Sequence, residues 1–483
     1  MIKILNQSKA EQLSSSNFVP FYSYSDNILE SLDIIKLIMG QVEFLEFLGV
    51  FAEQIDQPIY FFKIKNSNKN IGIKICGSYE NWDLPVRISK IINYIDKLDI
   101  VITDKDAEPI LAIETTGTAN VGNSQWQREG RKIGAAINKT PMVYQTFYAG
   151  TDRSQGTDVA REATCLQVLN HLIYSLRYKV GSFVIYYSDP DIDSMIGFDR
   201  SMKIGKKNLG NLIALTLASK ADEKFKALKT NCEKQILRDM LEYITESINY
   251  RNRSIRRIDK DFSMFPSKNL ICSNQDYLID ELIKVINGEK EEAEFVFIDW
   301  DFSQFIEWKK LYSKWLSGYP LIEALKEKSP SLFKSVENSK AGKIPKFFSY
   351  ISDAKCAITK DTKEFLDILS NLYGKKEYLN KKINLNKPTL FIPIRIFKGE
   401  KKVIAGDPEA GEIAAFSEMF SKDLKNRKIM NIVLYCHVEP PEGFDINEEL
   451  EKAKEGSGSK MFKSIVHYMD VLIVGEEVIQ WQA

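Results

Sequence analysis

Two kinds of apolar spacing alternate along this chain, and they divide it into segments. Short apolar runs closed by turn-forming residues predict strands over 59–64 and 71–76, around the polar NSNKN. The same pattern predicts strands over 98–103 and 109–116, around DKDAEP, and over 141–147 and 183–187. Apolar residues three and four apart predict helices over 124–138, with Trp126, Gly130, Ile133 and Ile137 on one face, and over 160–178. Over 27–55 the series Ile28, Leu29, Leu32, Ile35, Leu37, Ile38, Val42, Leu45 and Leu48 predicts one or two amphipathic helices. From 201 to 385 lysine-rich helices take over, with Leu237, Leu241, Ile244 and Ile248 as a core stripe. Lys375, Lys376, Lys381, Lys382 and Lys387 read as an exposed basic connection. After Pro388 strands are predicted near 390–396, 402–405, 429–436 and 471–474, with helices over 412–420 and 460–468. In the turn at 406–412, Asp407 is expected to cap the following helix. The fold class expected is α/β, with a mixed-sheet domain over 1–200, a mainly helical region over 201–387 and an α/β domain over 388–483.

Charge inside the strand pattern marks the chemistry. Asp99 is the single charge in the run 98–103, and Glu114 closes the run that begins at Ile110. A hairpin through DKDAEP brings both carboxylates to one edge, where hard oxygen ligands a few ångströms apart suit Mg²⁺. Such an ion activates a water and stabilises charge building on phosphorus, which is the chemistry of phosphodiester hydrolysis. On the helix that follows, Gln127 and Arg131 lie four residues apart on one face. Arg128, Arg131 and Lys132 are suited to a phosphate.

Over residues 85–150 this arrangement resembles the PD-(D/E)xK nuclease superfamily, most nearly a type II restriction endonuclease. The resemblance implies a mixed-sheet nuclease core in which Asp99 is the first metal ligand, Glu114 the second and the Thr115 carbonyl a further oxygen ligand. Thr116 stands where the superfamily has its lysine. A lysine or glutamine from the next helix takes that role in some members, which points to Lys132 or Gln127 here. The superfamily's further acid, on a helix before the sheet, would be Glu43, Glu46 or Glu53, for each of which surface solvation is the ordinary reading. The activity implied is Mg²⁺-dependent, sequence-specific cleavage of double-stranded DNA, by a homodimer if the site is palindromic. Two other readings stand beside it. One is a catalytically inactive nucleic-acid-binding protein with a nuclease-like fold, favoured by Thr116. The other is a metabolic α/β enzyme in which the acidic pair is incidental.

Composition narrows the partners. Lys+Arg and Asp+Glu both number 66 in 483 residues, so nucleic-acid contact must come from local patches. One patch is RNRSIRR, where Arg251, Arg253, Arg256 and Arg257 either grip phosphate or complement a helix C-terminus. Asp189, Asp191 and Asp193 form either a second metal site or a solvated loop, and Asp299 with Asp301 repeats the ambiguity. Phe305, Trp308, Tyr312 and Trp315, interleaved with lysines, read as core ahead of base stacking. The six cysteines form no CxxC pair, and three histidines add no zinc pattern, so reduced thiols in a cytoplasmic protein are expected. No apolar stretch is long enough to span a membrane, and neither GxGxxG nor GxxxxGK[ST] occurs.

Overall fold

The computed structural model describes residues 3–15, 17–54, 57–81, 83–116, 128–147, 149–152, 159–162, 165–187, 206–254, 275–291, 318–328, 357–359, 361–398, 404–423, 425–436 and 442–480. By contacts the chain forms two compact units, one of 1–122, 131–245 and 270–295, the other of 123–130, 246–269 and 296–483. Both are α/β.

The first unit begins α1 (Gln7–Ser15), β1 (Phe18–Ser25), α2 (Ile28–Gln41), β2 (Leu45–Phe51), β3 (Ile59–Ile64), β4 (Asn70–Ser78) and α3 (Val86–Ile92). It continues with β5 (Ile100–Thr103), β6 (Pro109–Thr115), α4 (Glu129–Ile137), β7 (Met142–Phe147), β8 (Ala149–Asp152), β9 (Val159–Glu162), α5 (Cys165–Tyr178) and β10 (Ser182–Tyr187). Among the described residues, α6 (Lys206–Ala221), α7 (Lys226–Ser254, its residues from 246 on belonging to the second unit) and α8 (Gln275–Ile286) follow.

Eight strands form one mixed sheet in the order β10-β7-β6-β5-β1-β4-β3-β2. At its centre β5 and β6 pair antiparallel, Ile100 opposite Ile113 and Val101 opposite Ala112. Their turn is held by the Asp104 carboxylate, which accepts from the amides of Asp106 and Glu108, each at 3.0 Å. The crossover through α4 then places β7 parallel to β6, Glu114 opposite Tyr144. Close approach makes that crossover compact: a Cβ on Gly134 of α4 would lie 2.4 Å from the Ile91 carbonyl oxygen of α3.

The 27–55 segment differs from expectation after its first half. Asn27 caps α2 and, with Glu30, completes a capping box, but the helix stops at Gln41 and Val42 is extended. Leu45 and Leu48 belong to β2, where LEFLGVF pairs antiparallel with β3. Their three-residue spacing fits a helix, yet the phenylalanines and valine around them favour a pleated surface. Over 160–178 the first residues pair in β9, and the helix starts only at Cys165. Helix α6, which composition groups with the middle region, packs against α2 in the first unit, and its Leu209, Leu212 and Ile213 are buried.

The second unit contains α9 (Pro320–Lys328), β11 (Ala357–Thr359), α10 (Thr362–Tyr373), α11 (Lys376–Lys382), β12 (Thr389–Lys398), β13 (Ile404–Asp407) and α12 (Ala410–Ser421). After these come β14 (Asn431–Cys436), α13 (Ile446–Lys454), α14 (Lys460–Tyr468), β15 (Val471–Val474) and β16 (Glu477–Ile479). Its sheet runs β11-β12-β14-β15-β16, with β13 beside β12. The central strands β12, β14 and β15 are parallel, and every residue of β14 is buried, as in a sheet covered on both faces. Two expectations change here. The lysine-rich connection is in part helix α11, seated by buried Leu379. The cap of α12 is Glu409, which forms a capping box with Glu412, while Asp407 ends β13. Cys76 and Cys436 are buried and Cys232 is half-buried, all three as free thiols.

Candidate functional site

The strongest concentration of buried charge in the first unit lies where β5 begins and β6 ends. Asp99 precedes β5 and Glu114 is the penultimate residue of β6, so the antiparallel pairing sets them side by side. Their side chains are 8% and 0% exposed. Asp99 is held by its neighbour on β6: the Thr115 amide donates to Oδ2 at 2.7 Å and the Thr115 hydroxyl at 3.1 Å. The Asp99 amide donates to Glu114 Oε2 at 3.3 Å.

Helix α4 brings a cation onto this pair. Arg131 Nη1 lies 3.2 Å from Asp99 Oδ1 and 3.0 Å from Glu114 Oε1. On its other side, Nε donates to Asp96 Oδ2 at 3.2 Å. Three carboxylates thus meet one guanidinium, and their charges outweigh its burial to hold Arg131 more firmly protonated than usual. The four residues come from the loop before β5, from β6 and from α4, up to 35 positions apart.

Two further groups belong to this neighbourhood and carry no signal in the strand pattern. Glu30, in the first turn of α2, has its carboxyl pushed up to about 7 by burial and by the charge of Asp99. Its capping box with Asn27 is visible in the sequence, but its nearness to Asp99 depends on how α2 crosses the sheet. Tyr79, just after β4, is buried, and its hydroxyl has no hydrogen-bond partner among the described residues. Burial first, then the charges of Asp99, Asp26, Glu30 and Glu114, raise its ionisation well above the ordinary phenol range. Glu43, Glu46 and Glu53 are all exposed, in line with the solvation reading.

Lys132 projects to the next strand. It is fully buried, with Nζ 4.9 Å from the centre of the Tyr144 ring, and Tyr144 is the register partner of Glu114. Tyr144 stacks in turn on His171 of α5, with ring centres 6.1 Å apart. His171 Nδ1 bonds Ser182 Oγ at 2.8 Å, while its Nε2 is buried without a partner among the described residues. Burial, then the charge of Lys132, holds the imidazole neutral far below its usual range. Thr116 is also buried, its amide donating to the Gln145 carbonyl at 3.0 Å.

The remaining sequence candidates divide into those placed elsewhere and those not described. Arg128 is half-exposed in the turn before α4. Arg251 and Arg253 lie in the last turn of α7. Gln127, Arg256, Arg257, the aspartates at 189, 191, 193, 299 and 301, and the aromatics between 305 and 315 lie outside the described residues.

The donor chemistry at Asp99 and Glu114 fits a hard divalent cation: two buried carboxylates, one just before β5 and one on β6, already bridged by a positive group. Among the described residues no group of three or more His, Cys, Asp or Glu side chains is close enough to hold a metal by itself. Two carboxylates leave coordination positions to water and substrate, the manner in which Mg²⁺ is commonly bound. Among the described residues no helix is long and apolar enough to cross a membrane. A scan against protein-family models finds no match, and neither does a search of curated proteins or of solved structures.

Proposed function

We propose that the first unit is a divalent-cation-dependent phosphodiester hydrolase acting on double-stranded DNA, of the restriction type that its PD-(D/E)xK resemblance implies. The observation that carries the reading is the Asp99–Glu114 pair. Two carboxylates, one just before β5 and one on β6, are withdrawn from water, and the cation between them is a side chain of the crossover helix. A pure stability role would be a poor use of such a cluster, because buried ion pairs often stabilise less than apolar packing of the same volume.

In this reading Asp99 and Glu114 hold the ion, with Thr115 fixing Asp99 Oδ2 through its amide and hydroxyl. When bound, Mg²⁺ supplies a polarised water and charge neutralisation at the phosphorus. Arg131 meets the phosphate, as a planar guanidinium is suited to do. Lys132, buried one strand over, is the lysine that the Thr116 position lacks.

A second reading, a nucleic-acid-binding protein without catalysis, has one observation in its favour: Arg131 already spans both carboxylates and offsets part of their charge. One experiment separates the two. Long mixed-sequence DNA is incubated with the protein in Mg²⁺ or EDTA, beside Asp99→Asn and Glu114→Gln. Discrete Mg²⁺-dependent fragments, lost in both variants, support the restriction-type nuclease, and a smear supports a nuclease without sequence choice. Retardation on a gel with no cutting favours the binding protein, and neither binding nor cutting removes both readings.

A further inference from the structure

The position of Arg131 raises a question that the hydrolase reading, on which this inference rests, leaves open. Its Nη1 occupies the point between Asp99 Oδ1 and Glu114 Oε1 at 3.2 and 3.0 Å, where a divalent ion would have to go. The same guanidinium has a second attachment independent of that point, from Nε to Asp96 Oδ2 at 3.2 Å. Asp96 lies in the loop before β5, bonds a different nitrogen of the guanidinium from the one that meets Glu114, and is mostly buried.

We propose that Arg131 is the resident counter-cation of the Asp99–Glu114 pair, exchanged for the divalent ion on binding, and that Asp96 is the positioning residue on which it pivots. Without the ion, two buried carboxylates side by side repel each other, and the guanidinium cancels that repulsion. When the ion enters, Nη1 is expelled because two cations cannot share one set of oxygens at contact distance. The bond from Nε to Asp96 is not part of the exchange and survives it. Arg131 therefore stays at the rim, its Nη groups released from the carboxylates and free to bind an anionic oxygen of the substrate. The exchange makes the ion compete with an internal cation, so its affinity is set below what the two carboxylates alone would give. It also ties the release of the phosphate-binding arginine to occupancy by the ion. Asp96 is thus neither a metal ligand nor a catalytic residue: it acts through Arg131.

The test is calorimetric titration of MgCl₂, and separately MnCl₂, into the EDTA-treated full-length protein without nucleic acid. Wild type is compared with Arg131→Gln, Asp96→Asn, Asp96→Glu and Asp99→Asn. Exchange requires Arg131→Gln to bind either ion about tenfold tighter than wild type, the equivalent of losing one competing ion pair. Asp96→Asn, which keeps the guanidinium but loosens it, should bind about threefold tighter on the same scale. Should Arg131→Gln fail to fold, Asp96→Asn alone decides the matter, since every group at the ion's position is intact in it. Equal or weaker binding in these variants, with binding in wild type and loss in Asp99→Asn, overturns the exchange and leaves the metal reading standing. No binding in any protein overturns both. The positioning role of Asp96 is read separately: at saturating Mg²⁺, Asp96→Asn should lower kcat for cleavage with KM for DNA unchanged, and Asp96→Glu should restore it. A KM change, or no recovery in Asp96→Glu, overturns that role.

Discussion

In the second unit Glu418 has no exposed surface and meets Lys422 four positions along the chain, Nζ to Oε1 at 2.7 Å. In the first unit Glu114, buried as deeply, meets Arg131 seventeen positions away on a different element. The contrast extends through both sheets. Asp361, Asp445 and the Glu409–Glu412 pair of the second unit cap the helices next to them, and Asp470 accepts the Ile432 amide at 2.7 Å. Each has a local or backbone task that the fold explains. Asp96, Asp99 and Glu114 share one guanidinium across elements, and no helix end or strand edge requires that convergence. Burial of charge alone therefore does not single out a site. Asp470 also pairs with Lys428, 42 positions away, so a distant partner alone is not the mark either; the convergence of three carboxylates on one guanidinium is what supports the proposed site.

The largest expected effect tests this contrast directly. On the proposed hydrolase reading, Asp99→Asn or Glu114→Gln should lower Mg²⁺-dependent cleavage by about a thousandfold or more, on the scale of losing an ion that activates water. Glu418→Gln, with an equally buried carboxylate, should leave it unchanged. Initial rates on a cleaved DNA fragment decide it, and a loss in Glu418→Gln would erase the distinction.

Next in size is Gly134→Ala. A methyl group 2.4 Å from the Ile91 carbonyl must push α4 off α3, costing about 2–3 kcal/mol by urea unfolding. Because α4 carries Arg131, cleavage should fall as well. A substitution that destabilises the second unit equally should not reduce the rate under conditions where both proteins stay folded.

Smaller, and dependent on pH, is the contribution of His171. Its folded-state ionisation lies well below the unfolded value, so the unfolded chain binds the extra proton and stability is lost as pH falls below about 6.5. The loss approaches about 1.4 kcal/mol per pH unit below that point. It should be absent from His171→Asn when both proteins are unfolded in urea between pH 7.5 and 5. An unchanged slope in the variant would show that the imidazole is not held neutral by Lys132 and its apolar surroundings.

The smallest effect belongs to the second unit. Asp445 accepts the amides of Asn447 and Glu448 at the start of α13, so Asp445→Ala should cost about 1 kcal/mol by urea unfolding. Cleavage should not change.

Much of this was legible in the residues themselves. The runs around DKDAEP are β5 and β6, the next run is β7, and the strands after Pro388 fall at β12, β14 and β15, each within a few residues of expectation. Apolar runs bounded by turn formers are read locally, whereas the one cap expected, Asp407, gave way to Glu409. Asp99 and Glu114 could be paired because a short hairpin makes their separation predictable from the turn alone. Where two local readings compete, as at Leu45 and Leu48, spacing misled, and strand pairing with β3 decided the outcome.

Only the tertiary structure brought Glu30, Tyr79 and Asp96 to the acidic pair. Glu30 comes from the helix after β1 and Tyr79 from the end of β4, and the order β6-β5-β1-β4 lays those elements beside the hairpin. Sequence determined which segments become strands and which two carboxylates share a turn, since those depend on near neighbours and on burial of one face. The direction of Arg131, the acid nearest the pair and the stacking of Lys132, Tyr144 and His171 depend on how separated elements pack. That packing is a property of the whole sheet, set by crossover geometry and close contacts such as Gly134 on Ile91, and no window of the chain contains it.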